Sequence, residues 1–211
     1  LQRLLSLASF VVLYLGTTFI VVPIIARPFG RVSMPFAESN GLRPLNRLTC
    51  LLNRHYVRPE LKTAILYVSE QMDEKYPWTR INYLDAGFPF IDGFPLLPHL
   101  SHNDGRKLDL AFLYTDQKNG EATWKSPSWT GYGVCEGPLP GETDMPARCL
   151  QQGYKKYDLL EKVTPQSRKG RYSFDTERNR HFLKLLAGDD RNAKIFIEPH
   201  LKERHGPRCG K

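Results

Sequence analysis

The chain predicts an α+β fold preceded by one transmembrane helix. Three observations carry this. An uncharged run over residues 4–26, rich in Leu, Val, Ile and Phe, opens the sequence. Two segments, residues 59–75 and 175–188, repeat apolar residues at helical spacing. Between and after them lie short apolar runs of strand length at residues 81–86, 108–114 and 193–197. At 211 residues there is room for one domain plus appendages. The expected boundaries are an anchor at 1–27, a juxtamembrane linker at 28–47 and a folded domain at 48–211.

Each element has its own reason. The first run is long enough to cross a hydrocarbon layer of about 30 Å as a helix. It is also longer than the apolar core of a signal peptide, about 7–15 residues, and no small-x-small cleavage site follows it. Residues 28–47 contain Pro28, Gly30, Pro35, Gly41 and Pro44 without periodicity, which reads as a linker. In the helix at 59–75, Pro59 suits a first turn and Glu60 suits the N-terminal end of the helix dipole. Its apolar stripe is Leu61, Ala64, Ile65, Val68 and Met72, and Tyr76-Pro77 ends it. A second helix is expected at 154–163. In the third, at 175–188, Asp175 or Thr176 serves as cap.

Residues 87–98 interleave Phe88, Phe90 and Phe94 with glycines and prolines and lead into His99 and His102. Phe90, Phe94 and His99 are therefore candidates for the wall of a substrate cleft. The stretch at 115–146 is long and irregular, which calls for something to tie it down. A disulfide between Cys135 and Cys149 would do so, contributing about 3 kcal/mol in the chain-entropy model. Cys50 and Cys209 would then pair with each other or with residues outside this sequence. No Cys-x-x-Cys occurs, which argues against a cysteine-based zinc finger.

The net charge of +8 suits an anionic surface such as a membrane or an acidic wall polymer. Nucleic acid is disfavoured, because the Lys and Arg residues are scattered and no recognition motif accompanies them. Counting the arginines on either side of the apolar run would keep the domain in the cytoplasm. The secreted-looking cysteine pattern argues for an extracytoplasmic domain, which is the expected orientation.

The chemistry centres on residues 98–114. Its first half is polar, with His99, His102, Asp104 and Gly105, and its second half is apolar on both alternating faces, as in a strand buried in a sheet. Asp109 falls at the start of that strand, where a buried carboxylate needs a strong partner. A metal ion shared with His102 would supply one. Catalytic zinc commonly takes three protein ligands and leaves a fourth position to water. The bland alternative pairs Asp109 with a nearby Arg or Lys and leaves His102 on a surface loop.

Ser101-His102-Asn103-Asp104-Gly105-Arg106-Lys107-Leu108-Asp109 resembles the His-x-x-Gly-x-x-x-Asp core of the LAS zinc peptidases. These comprise D-Ala-D-Ala carboxypeptidases, D,D-dipeptidases and penicillin-insensitive murein endopeptidases. The run from Tyr83-Leu84-Asp85-Ala86-Gly87-Phe88-Pro89-Phe90 to Leu113 is similar to a bacterial membrane-associated group of that superfamily. So are residues 135–149 and Lys194-Ile195-Phe196-Ile197-Glu198-Pro199-His200-Leu201-Lys202.

The resemblance implies a small antiparallel sheet with flanking helices, one zinc ion held by His102 and Asp109, and peptidoglycan peptides as substrates. It also implies a bacterial inner-membrane protein with its catalytic domain outside the cytoplasm. Two departures stand out. The family's small residue two before the aspartate is Lys107 here, and no His-x-His, the family's source of the third ligand, occurs anywhere. His200 and His205 are the C-terminal substitutes, and the tail after Lys202 reads as an altered ending. The expected function is a membrane-anchored zinc metallopeptidase-like protein, truncated or inactive as given. The alternative is a non-catalytic wall-binding or scaffolding domain on the same fold.

Overall fold

The structure, a computed structural model, describes residues 1–154, 159–192 and 194–205. The apolar run forms helix α1 (Gln2–Gly16), a π-helical turn (Thr17–Val21) and helix α2 (Val22–Ala26). Pro23 cannot donate a backbone hydrogen bond, and the turn before it is widened. Together with the 3-10 turn that follows, this gives one apolar helix over Gln2–Phe29 that could span a membrane. Its N-terminal half is exposed, whereas Thr18, Val22 and Ala26, one face four residues apart, are buried against the rest of the protein.

The stretch expected as a linker is instead part of the folded domain. Strand β1 (Val32–Ser33) pairs antiparallel with β3 (Tyr56–Val57), on the far side of a short helix α3 (Leu48–Leu51). Strand β2 (Leu42–Pro44) lies between them in sequence and pairs parallel with β4 (Ile81–Tyr83). Met34 and Leu42 are in the core, at 2% and 0% exposure. Strands of two or three residues are too short to show an alternating pattern, which is why the sequence reads as linker.

Helix α4 (Pro59–Lys75) has the expected bounds. Pro59 occupies its first turn, Ala64, Ile65, Val68 and Met72 are buried on one face, and Tyr76 leaves helical geometry just before Pro77. A third sheet places β5 (Tyr114–Asp116) between β6 (Ala122–Thr123) and β7 (Tyr172–Phe174), both antiparallel to it. Among the described residues the β architecture is thus three small sheets, one of them parallel, rather than one antiparallel sheet. Helices α5 (Met145–Gln151), α6 (Leu159–Val163) and α7 (Thr176–Gly188) fill the second half, and α8 (Pro199–His205) ends the described chain. The expected helix at 154–163 is borne out only in α6, since residues 155–158 lie outside the described residues.

Three other expectations change. Residues 108–113 are extended but not a regular strand. Their ladder with residues 82–85 consists of Leu84 N to Asp109 O at 2.8 Å, Asp109 N to Asp85 O at 2.9 Å and Ala111 N to Asn82 O at 2.9 Å. It ends at Leu113, whose N–H and C=O are both taken by the side-chain amide of Asn179 on α7, at 2.9 and 2.8 Å. An asparagine side chain here replaces a neighbouring strand. Asp175 caps α7 as expected, accepting from Arg178 N at 2.9 Å.

The run at 193–197 is no buried strand. Ala193 lies outside the described residues, residues 194–197 have no regular structure, and Phe196 is 84% exposed.

No disulfide joins Cys135 to Cys149, because Cys149 is a free thiol on α5. The long loop is tied down by polar contacts to α8 instead. Arg204 grips Glu142 at 2.6 and 2.8 Å, and Thr143 donates to Glu203 at 2.6 and 3.0 Å. Cys50 is a free thiol in the core, 3.1 Å from the Tyr83 hydroxyl, and Cys209 lies outside the described residues.

Candidate metal centre

Three segments bring the site together. The first is the end of β4 and the residues after it, where Asp85 is 4% exposed. The second is the ladder partner. The two-way backbone bonding of residues 84 and 85 with Asp109 sets Asp109 beside Asp85. The third is the loop carrying both imidazoles. A turn closed by His102 N donating to His99 O at 3.1 Å brings the two rings together, tilted by 40° with centroids 5.3 Å apart.

The loop is held from below by residues of the supposed linker. Arg31, with 1% exposure, donates to Phe88 O at 3.3 Å and forms an ion pair with Asp92. Its guanidinium lies flat against Gly105, which has φ of +69°; a Cβ there would sit 2.6 Å from Arg31 Cζ. Glycine is required at this position twice over, by the left-handed backbone and by the lack of space. Arg58 adds a backbone bond to Gly105 O at 2.8 Å. Lys107, the departure from the family pattern, ties the loop to itself by donating to Ser101 O at 2.7 Å.

At the centre, His102 Nε2 is 3.2 Å from Asp109 Oδ1, and His99 Nδ1 is 3.2 Å from Asp109 Oδ2 and 2.9 Å from Asp85 Oδ2. Asp85, His99 and His102 each offer a donor atom, all within 4.8 Å of one another, and this group could hold a metal ion. His102 and Asp85 are buried. The His99 and Asp109 side chains are 20% and 32% exposed, so one side of the cluster is open to solvent.

Two further residues complete it. Arg54 donates from Nε to Asp85 Oδ1 at 2.8 Å and pairs through Nη2 with Oδ2. Tyr132, from the long loop, donates its hydroxyl to Asp109 Oδ2 at 2.6 Å and packs edge-on to His99. Tyr132 reaches the site because Gly131, with φ of +82°, lies against Leu84, where a Cβ would approach Leu84 Cδ2 to 2.3 Å.

The electrostatics follow from these contacts. Burial raises the Asp85 carboxyl, but the Arg54 and His99 hydrogen bonds outweigh it and hold it below the ordinary carboxylate range. Burial raises Asp109 too, and is outweighed by His102, Tyr132 and His99. For His102, burial disfavours the cation, while the hydrogen bond and charge of Asp109 prevail and push its pKa up. Burial and the Asp109 charge drive the Tyr132 hydroxyl far up, so it remains a neutral donor. Both carboxylates are thus ionised and aimed at the imidazoles.

His102 and Asp109, the ligand pair expected from sequence, are in contact. His99, expected as a cleft wall, belongs to the metal cluster. Phe90 and Phe94 do not join it: Phe90 packs against Val22, Ala26 and Tyr56, and Phe94 stacks on Phe88 at 3.9 Å. They are core and loop packing. His200 and His205 are not in the cluster either. His200 Nε2 is engaged with Glu136 O at 2.8 Å, and His205 lies buried beside Phe174. Asp85, Arg54 and Tyr132 were missed by sequence reasoning. Only Asp85 carried a signal, as an acid at the end of an apolar run.

The chain matches no family model, no curated protein and no solved structure. The functional reading therefore rests on the residues of the site.

Proposed function

We propose that this chain is a membrane-anchored zinc metallopeptidase-like domain acting on peptidoglycan peptides. The observation that carries the reading is the convergence of two imidazoles on an ionised carboxylate pair, in a cluster open to solvent on one side. Two histidines and one carboxylate form a common ligand set for catalytic zinc. His102, Asp109 and His99 would hold the ion, and His99 supplies the third donor sought in vain at the C-terminus. Asp85, locked by Arg54, faces the same His99 Nδ1 as Asp109 and would be a further donor to the ion. Zinc bound there would lower the pKa of a coordinated water to about 7 and so supply the nucleophile for peptide hydrolysis. The net charge of +8 favours approach to an anionic wall polymer. The substrate class requires the domain to face the wall, on the outer side of the bacterial cytoplasmic membrane.

One observation favours a second reading. Arg54, Tyr132 and the two histidines already partner the two carboxylates, so both acids have hydrogen-bond partners without an ion. On that reading the domain is a non-catalytic wall-binding or scaffolding module. Incubating the zinc-loaded protein with soluble muropeptides separates the two. Peptide release that is abolished by chelation and restored by zinc is the expected result. Muropeptide binding without cleavage, indifferent to chelator, would establish the scaffold instead.

A further inference from the structure

The apolar helix does not stand off from the domain. Tyr14, midway along it, donates its hydroxyl to Leu51 O at the end of α3, at 2.5 Å. Phe19 packs edge-on to Phe36 at 4.9 Å, and Thr18, Val22 and Ala26 are buried. From Tyr14 onward the helix is therefore laid along the domain.

Beside the docked half lies an apolar rim. Leu48 and Leu52, one turn apart at α3, are 44% and 54% exposed, and Phe36 is 39% exposed. The Arg47 guanidinium sits over the Phe36 ring, 5.1 Å from its centroid. Apolar side chains at a rim with an arginine beside them match the boundary between acyl chains and headgroups, where a cationic tip reaches outward.

We propose that the rim formed by Phe36, Leu48 and Leu52 is a membrane-docking surface, seated in the outer acyl layer of the bilayer that the helix enters. This rests on the membrane-anchored reading above. The junction through Tyr14, Phe19 and the buried face holds the domain flush against the lipid instead of on a flexible tether. The occupant is lipid, because the patch is continuous with the apolar helix and shares its contacts.

The test uses the full chain reconstituted in phosphatidylcholine–phosphatidylglycerol vesicles, with and without lipids brominated near the top of the acyl chain. Leu52→Trp and Leu7→Trp, both at exposed positions, are compared with the parent chain. The added emission of both variants should be blue-shifted, and that of Leu52→Trp should be lost with the brominated lipid. If Leu7→Trp is lipid-exposed while Leu52→Trp emits as in water, the docking surface is wrong and the anchor stands. If both emit as in water, the anchor itself is wrong.

Discussion

Tyr132 donates its hydroxyl to Asp109 Oδ2 at 2.6 Å, leaving Oδ1 turned towards His102. A loop residue more than twenty positions downstream thereby fixes the orientation of a carboxylate that faces both imidazoles. Tyr132→Phe removes this bond and keeps the ring against His99. The expected outcome is a metal affinity weakened about 10- to 100-fold, with a stability change of only about 1 kcal/mol. Zinc titration against a competing chelator, beside a denaturant melt, checks both; unchanged affinity would make Tyr132 mere packing.

Gly105→Ala places a Cβ against a guanidinium that cannot retreat, since Arg31 is buried and bound to both Asp92 and Phe88 O. The left-handed backbone alone costs about 1–2 kcal/mol, and displacing Arg31 adds to it. A lower denaturant midpoint together with reduced metal binding is expected. A variant equal to the parent in both would show that the loop is not held through Arg31.

Asn179 is fully buried and satisfies both backbone groups of Leu113. Asn179→Ala leaves the Leu113 N–H without a partner, at about 1–3 kcal/mol, while its C=O keeps the bond from Asp175 N. Native-state hydrogen exchange should show protection at the Leu113 amide falling in the variant. Full protection retained there would contradict the strand-substitute role.

His55 is 3% exposed, and its pKa is held down to about 4, first by burial and then by the Lys62 charge. The unfolded state takes up this proton near pH 6.5, whereas the folded state does so only near pH 4. Stability should therefore be greatest above pH 6.5 and fall as pH drops through that window, by about 3 kcal/mol for this group. Denaturant midpoints measured across the window check this. His55→Leu should remove most of the slope, and a slope unchanged in the variant would assign it elsewhere.

Much of the helical frame was legible in the sequence. In α4 and α7 the apolar stripe and the first-turn residues Pro59 and Asp175 are local signals, and the structure follows them. Of the strands, the one expected at 81–86 appears as β4 (Ile81–Tyr83), and the others were not legible. Elements as short as Val32–Ser33 and Leu42–Pro44 leave no period, and Pro and Gly among them mimic a linker. At the site, His102 and Asp109 are in contact, although their spacing alone fitted a surface histidine equally well. The long-range partners did not show, because Asp85 reaches Asp109 through backbone pairing and Tyr132 reaches it across an irregular loop. The missing third donor was sought in a distant motif, while His99 lay three residues away and is brought round by a single turn.

The central claim is that these side chains hold a metal. Elemental analysis of the full chain, purified in detergent and dialysed against trace zinc, tests it most directly. About one zinc per chain is expected, lost in His99→Ala and in His102→Ala and retained in His200→Ala. A folded parent chain free of zinc, or zinc retained in both cluster variants, would contradict it.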